Sequence, residues 1–215
     1  MAFSEPQRRL ASSVSTIDPG VVVRFARAGL VFSILLLSLA PLTVADDYSV
    51  LHNTMSEAGG QGVDGAWLQR TGVVVTSLSV LTLAAFAQPV WERGVRVWLR
   101  VYALALLGLV IFPESPWDGS IHNETVALAH TAAGVIAVTG FVLGAWQASR
   151  GRATDVRSRA FDWLVIVAML VLPQLMLITS YQGLLQRLLV GLGYVWLFVE
   201  IGRITRSHAA AGRGA

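Results

Sequence analysis

Residues 112–134 read FPESPWDGSIHNETVALAHTAAG, and this stretch decides the fold. It lies between two long apolar runs, 97–112 and 125–148, and carries Glu114, Asp118, Glu124 and two of the four histidines, His122 and His130. A polar connection between two runs of spanning length marks a chain turning back through a bilayer. His130 then enters the second run. An ionisable side chain there costs several kcal/mol unless it is satisfied, so it is a candidate functional position.

The rest of the chain repeats this pattern. Of 215 residues 54% are hydrophobic and only 13% charged, where soluble domains carry about a quarter charged. Four further apolar runs occupy 28–45, 71–91, 161–179 and 184–201. All six are close to the ~20 residues that cross ~30 Å of hydrocarbon at ~1.5 Å per residue. The fold class is therefore all-α, a polytopic six-helix transmembrane bundle. Asp18-Pro19 supplies a cap and a first-turn proline for the first helix. Its apolar run exceeds a signal-peptide core, so an uncleaved helix is expected. Residues 1–17 and 203–215 read as flexible tails around one membrane domain, 18–202. With no cysteine, disulfides and thiolate metal sites are excluded.

All sixteen basic residues are arginine, and fourteen fall in the segment before the first apolar run (Arg8, Arg9, Arg24, Arg27), in the second-to-third and fourth-to-fifth connections and in the C-terminal tail. Only Arg70 and Arg187 lie at the other ends of the runs. The positive-inside rule then puts both termini in the cytoplasm, as expected of a multi-pass protein of the cytoplasmic membrane. The net charge of +3 reflects this topology rather than a nucleic-acid partner. The outer connections hold seven of the thirteen acids: Asp46, Asp47, Glu57, Asp64, Glu114, Asp118 and Glu124. Trp67 and Trp117 outside, and Trp91, Trp98, Trp146 and Trp163 inside, fit interfacial belts. Asp162 and Glu200 read as interfacial partners of inner arginines, and Pro173 should free a carbonyl in the fifth helix.

Two stretches carry a resemblance. The first is YSVLHNTMSEAG (48–59), followed by Gly65-Ala66-Trp67. The second is Phe112-Pro113-Glu114, followed by Asp118 and, in the fourth helix, His130 with Ala132 and Ala133. In order and topology this chain resembles a bacterial and archaeal membrane family, domain of unknown function family 998, over roughly residues 28–201. It is similar, more weakly, to the Frag/DRAM/Sfk membrane proteins, some of which act in lipid remodelling or asymmetry. It departs from the first family's motif at Glu57-Ala58, where aspartate and leucine are usual, and at Ser115, where an acid is usual. The resemblance implies a six-helix membrane protein and no established activity.

Several chemistries compete for these residues. His122 and His130 are eight positions apart, ~12 Å along one helix, so they cannot share an ion as helix neighbours. No metal or other cofactor is expected. Ser56, His130 and Glu114 or Asp118 have the residue types of a hydrolase relay, although the glycine-flanked nucleophile elbow is absent. Equally, Ser56 would cap a short loop helix, with Glu57 in its first turn. No chain of ionisable groups crosses the bilayer, as an ion path would require. The preferred expectation is an outer-leaflet pocket of Ser56, Glu57, Glu114, Asp118 and His130 that takes a lipid or other amphiphile. Arg70 and Arg187 would grip the headgroup phosphate. The alternatives are a membrane hydrolase using the same residues and a scaffold or partner subunit. The scaffold would dock, as a homo- or hetero-oligomer, through the small residues of the fourth helix, Ala132, Ala133, Gly134, Ala137, Gly140 and Gly144. His52, His122 and Glu124 are expected to be solvated.

Overall fold

A computed structural model describes residues 19–88, 90–119, 123–152 and 155–211. The expected Asp18 cap, the 1–17 tail, His122 and Arg213 lie outside these ranges. The described residues form helices only: α1 (Pro19–Leu39), α2 (Met55–Ala58), α3 (Ala66–Phe86), α4 (Arg93–Ile111), α5 (Glu124–Arg150), α6 (Val156–Met176) and α7 (Gln182–Ala211), with a 3-10 turn at Ala40–Leu42. All but α2 are long and apolar enough to span a membrane. The chain is an integral membrane protein with six such helices among its described residues.

Most of the helices start several residues before the apolar runs. α3 takes in Trp67 and Arg70, and α4 takes in Arg93 and Arg96. Arginine and tryptophan continue a helix readily while their polar ends stay at the interface. The last helix also overshoots expectation. It continues through Arg203 and Arg206 to Ala211, so most of the expected tail is helical. α6 runs unbroken through Pro173.

The six spans pack as a closed series in which each contacts its sequence neighbour and α7 returns to α1. Small residues set the closest approach. A Cβ on Gly140 would lie 2.8 Å from the Tyr102 backbone nitrogen, and one on Gly144 would press on Leu99. The small-residue spacing of α5 is therefore used to seat α4 within the chain. Inside, Tyr102, Phe141, Trp196 and Trp91 form an aromatic column with successive centroids 5.2, 5.2 and 6.3 Å apart. A hydroxyl cluster ties α1, α3 and α7. Ser33 Oγ lies 2.6 Å from the Tyr194 hydroxyl and 2.5 Å from Thr76 Oγ1, with Gly72 O accepting from Ser33 at 2.7 Å. Such bonds satisfy polar groups that hydrocarbon would leave bare.

Candidate functional site: the capped rim

The connection 43–65 folds over the ends of the spans, and its own sequence dictates how. Thr54 accepts from Glu57 N at 3.1 Å while the Glu57 carboxylate takes the Thr54 N–H, a reciprocal capping box that starts α2. Asn53 Oδ1 accepts from Ser49 N at 2.7 Å, and the Tyr48 hydroxyl donates to Thr54 O at 2.8 Å. Burial pushes the Tyr48 phenol above its usual range, against the pull of the Arg187 hydrogen bond. Most of the polar side chains in the 48–59 stretch are thus engaged in holding one turn.

That turn is docked on α7. The carbonyls of His52 and Leu51 accept from Gly183 N (3.3 Å) and Leu184 N (3.0 Å), satisfying donors that a helix start leaves open. A side chain at Gly183 would collide with Asn53 O. Arg187 donates to Val50 O (2.7 Å), Asn53 O (3.0 Å) and Gly183 O (2.9 Å), and to the Tyr48 hydroxyl (2.7 Å). Gln186 accepts from Met55 N at 2.5 Å and donates to Ser56 Oγ at 3.1 Å. His52, expected to be solvated, is exposed but not idle: its Nδ1 lies 2.8 Å from Ser180 O and its ring leans on Tyr181.

The second connection joins through one residue that the sequence reading passed over, Gln61. Its N–H donates to Glu114 O (2.8 Å), and its side chain donates to Pro113 O (3.1 Å) and Asn123 O (3.2 Å) while accepting from Asn123 N (2.9 Å). Trp117 packs edge-on against Tyr48 at 5.0 Å. The two connections therefore form one cap. A glutamine side chain here meets backbone carbonyls 52 and 62 positions away, a pairing that no local spacing encodes.

His130 is 7% exposed. Its Nδ1 lies 2.8 Å from Phe112 O and 3.2 Å from Leu109 O, carbonyls at the open C-terminal end of α4. Nε2 faces Glu114 Oε2 at 3.8 Å, which is beyond a direct hydrogen bond. The other Glu114 oxygen accepts from Ser115 N at 2.9 Å. The imidazole, carried by α5, thus ties that helix to the C-terminal end of α4, where the second connection begins.

The hydrogen bonds thus divide the five expected pocket residues. Glu114 and His130 face each other. Ser56 and Glu57 belong to the α2 turn, where the Ser56 hydroxyl pairs with an amide of α7 rather than with a base. Asp118 is exposed on the second connection. Among the described residues no three histidines or acids gather as a metal site would need.

The two arginines also part company. Arg187 is taken up by the cap. Arg70 donates from Nε to Gly59 O (2.9 Å) and from Nη2 to Gly60 O (2.7 Å), and it makes no ion pair with a described residue. It lines an open groove of about 530 Å³ between the start of α3 and the end of α4, with Asp64, Gly65, Trp67, Thr71, Val74 and Val110. Trp67 is 65% exposed there. Gly65 shapes the mouth. Its φ of +81° and the contact that a Cβ would make with Thr43 O leave room only for glycine.

A different polar centre lies at the arginine-rich end. Asp162 and Glu200, expected at the interface, are both 0% exposed. Arg152 reaches Asp162 Oδ2 and Glu200 Oε2 at 2.5 Å each, and Arg203 pairs with Glu200. The Trp91 and Trp196 indoles donate to Glu200 (2.8 Å) and Asp162 (2.9 Å). Trp91, expected in an interfacial belt, is 2% exposed because it serves this cluster.

No curated protein and no solved structure matches the chain in comparisons with known proteins. A family model does match, over residues 27–200, and its description is protein of unknown function (DUF998). Six helices of spanning length and a motif-built cap on one end of the bundle are thus the architecture of a chain that belongs to the DUF998 family.

Proposed function

We propose that the protein binds a zwitterionic phospholipid, headgroup uppermost, in the groove between α3 and α4 beneath the cap. The arginine-rich end faces the cytoplasm in this reading, by the positive-inside rule, so the groove opens to the outer leaflet. The observation that carries it is Arg70. Two of its nitrogens are fixed by the Gly59 and Gly60 carbonyls, which orients a guanidinium without neutralising it. A phosphate is the natural partner of such a fork. Asp64 lines the same groove without pairing with Arg70, so a headgroup with an ammonium beside its phosphate suits both. Beside this rim Trp67 and Val110, and one turn deeper Val74, offer apolar surface for the start of an acyl chain. Amphiphile sites are built in this way, with a few placed polar groups over apolar walls.

The test is native mass spectrometry of the protein in mild detergent, with phosphatidylethanolamine added. Arg70 also supports the cap, so the informative variants are Val110→Trp, which fills the groove, and Asp64→Asn, which removes its acid. Val110→Trp should lower retained phosphatidylethanolamine at least about fivefold without shifting the melting temperature, and Asp64→Asn by less. Unchanged retention in both variants would exclude the groove as the lipid site.

A further inference from the structure

At the other end of the bundle, α1 carries a second groove with different chemistry. Arg24, Arg27, Ala28, Val31, Phe32 and Leu35 line an open depression of about 380 Å³. Their spacing places them on one helical stripe. Both arginines are exposed, and neither bonds or pairs with a described residue. Their neighbours at this end differ. Arg152 and Arg203 hold the buried acids, Arg100 donates to Ala84 O at 3.3 Å, and Arg150 lies 5.0 Å over the Trp146 ring.

We infer that this stripe is a binding site for one anionic phospholipid in the leaflet at the arginine-rich end. Arginines three positions apart have Cβ atoms ~5–6 Å from each other, so both forks can converge on a single phosphate. The groove contains no acid. Two cations with no counter-charge favour a lipid with net negative charge, unlike the mixed rim beside Arg70. The groove's length favours a lipid over a free phosphate. From Arg24 to Leu35 the helix rises ~16 Å, about half of the ~30 Å hydrocarbon and so one acyl chain deep. Phosphate sits at the arginines, and the chain runs along Ala28, Val31 and Leu35.

The experiment uses the full chain in mild detergent, titrated with phosphatidylglycerol or phosphatidylcholine and read by native mass spectrometry. Three variants are compared: Arg24→Gln with Arg27→Gln; Leu35→Trp, which blocks the stripe but keeps both charges; and Arg157→Gln with Arg159→Gln. The last pair removes the same charge from exposed sites at the same end that line neither groove described above. The first two variants should each bind phosphatidylglycerol about tenfold more weakly, with phosphatidylcholine unaffected and the Arg157/Arg159 variant like wild type. Equal loss in both arginine pairs would reduce the effect to general charge and overturn the site. So would full binding by Leu35→Trp, or displacement of phosphatidylglycerol by millimolar inorganic phosphate, since a soluble anion would then be the occupant.

Discussion

The two ends of the bundle use polar residues in opposite ways. At the rim, side chains hold backbone: Arg187 bonds three carbonyls, Gln61 two, and His130 another two. At the arginine-rich end, side chains hold one another, with two acids, two arginines and two indoles closed into one buried cluster. A side chain on backbone fixes the shape of a loop. A closed ion cluster fixes which helices meet. The motif-bearing end is thus an assembled cap, and the end that looked merely interfacial is the deeper electrostatic lock.

This contrast predicts unequal sensitivity. Arg152→Ala should have the largest effect, because it leaves Asp162 and Glu200 buried with one cation fewer. Breaking a buried pair from one side costs about 3–5 kcal/mol, seen as a large drop in melting temperature in detergent. Arg152→Gln combined with Asp162→Asn removes one charge of each sign and should recover part of that loss. A wild-type melt for Arg152→Ala would mean that the cluster locks nothing. Arg187→Ala comes next, at about 2 kcal/mol for lost charged hydrogen bonds. Its signature is local: limited proteolysis should cut within 48–61 while the spans survive. Cutting in the spans at the same rate would tie the cap to global unfolding. The smallest effect belongs to Thr54→Ala, about 1 kcal/mol for the lost cap. It should loosen 54–60 without altering lipid retention. A fall in retention as large as that of Val110→Trp would move the binding site into the α2 turn.

What was legible in the sequence follows the range of each interaction. Six spans could be read because hydropathy is local, and so could a short helix with Glu57 in its first turn, but its cap is Thr54, two positions before the expected Ser56. The Glu114–His130 juxtaposition followed from a short connection between two adjacent spans. Ser56 with Gln186 did not, since 130 positions separate them and a glutamine among leucines announces no partner. Asp162 and Glu200 sit at the ends of their apolar runs, where a surface position is the ordinary expectation. Their burial is explained by the inward fold of Arg152, joined by Arg203 and the Trp91 and Trp196 indoles. The expected tail after residue 202 failed for a similar reason. Its arginines and alanines favour helix, and Arg203 has an acid to hold.

The central claim is that the connection 43–65 and the described part of the second connection, 112–119 with Asn123, form one docked cap, leaving Arg70 as the oriented cation of the rim that pairs with no described acid. Hydrogen–deuterium exchange on the protein in lipid nanodiscs tests it most directly. The amides of Gly59, Gly60 and Gln61, bonded to Met55, Glu57 and Glu114 carbonyls, should exchange slowly and together, and Arg187→Ala should release them as a group. Fast exchange across 48–61 in the wild-type protein would contradict the account, because a mobile connection could hold neither the cap nor the guanidinium in place.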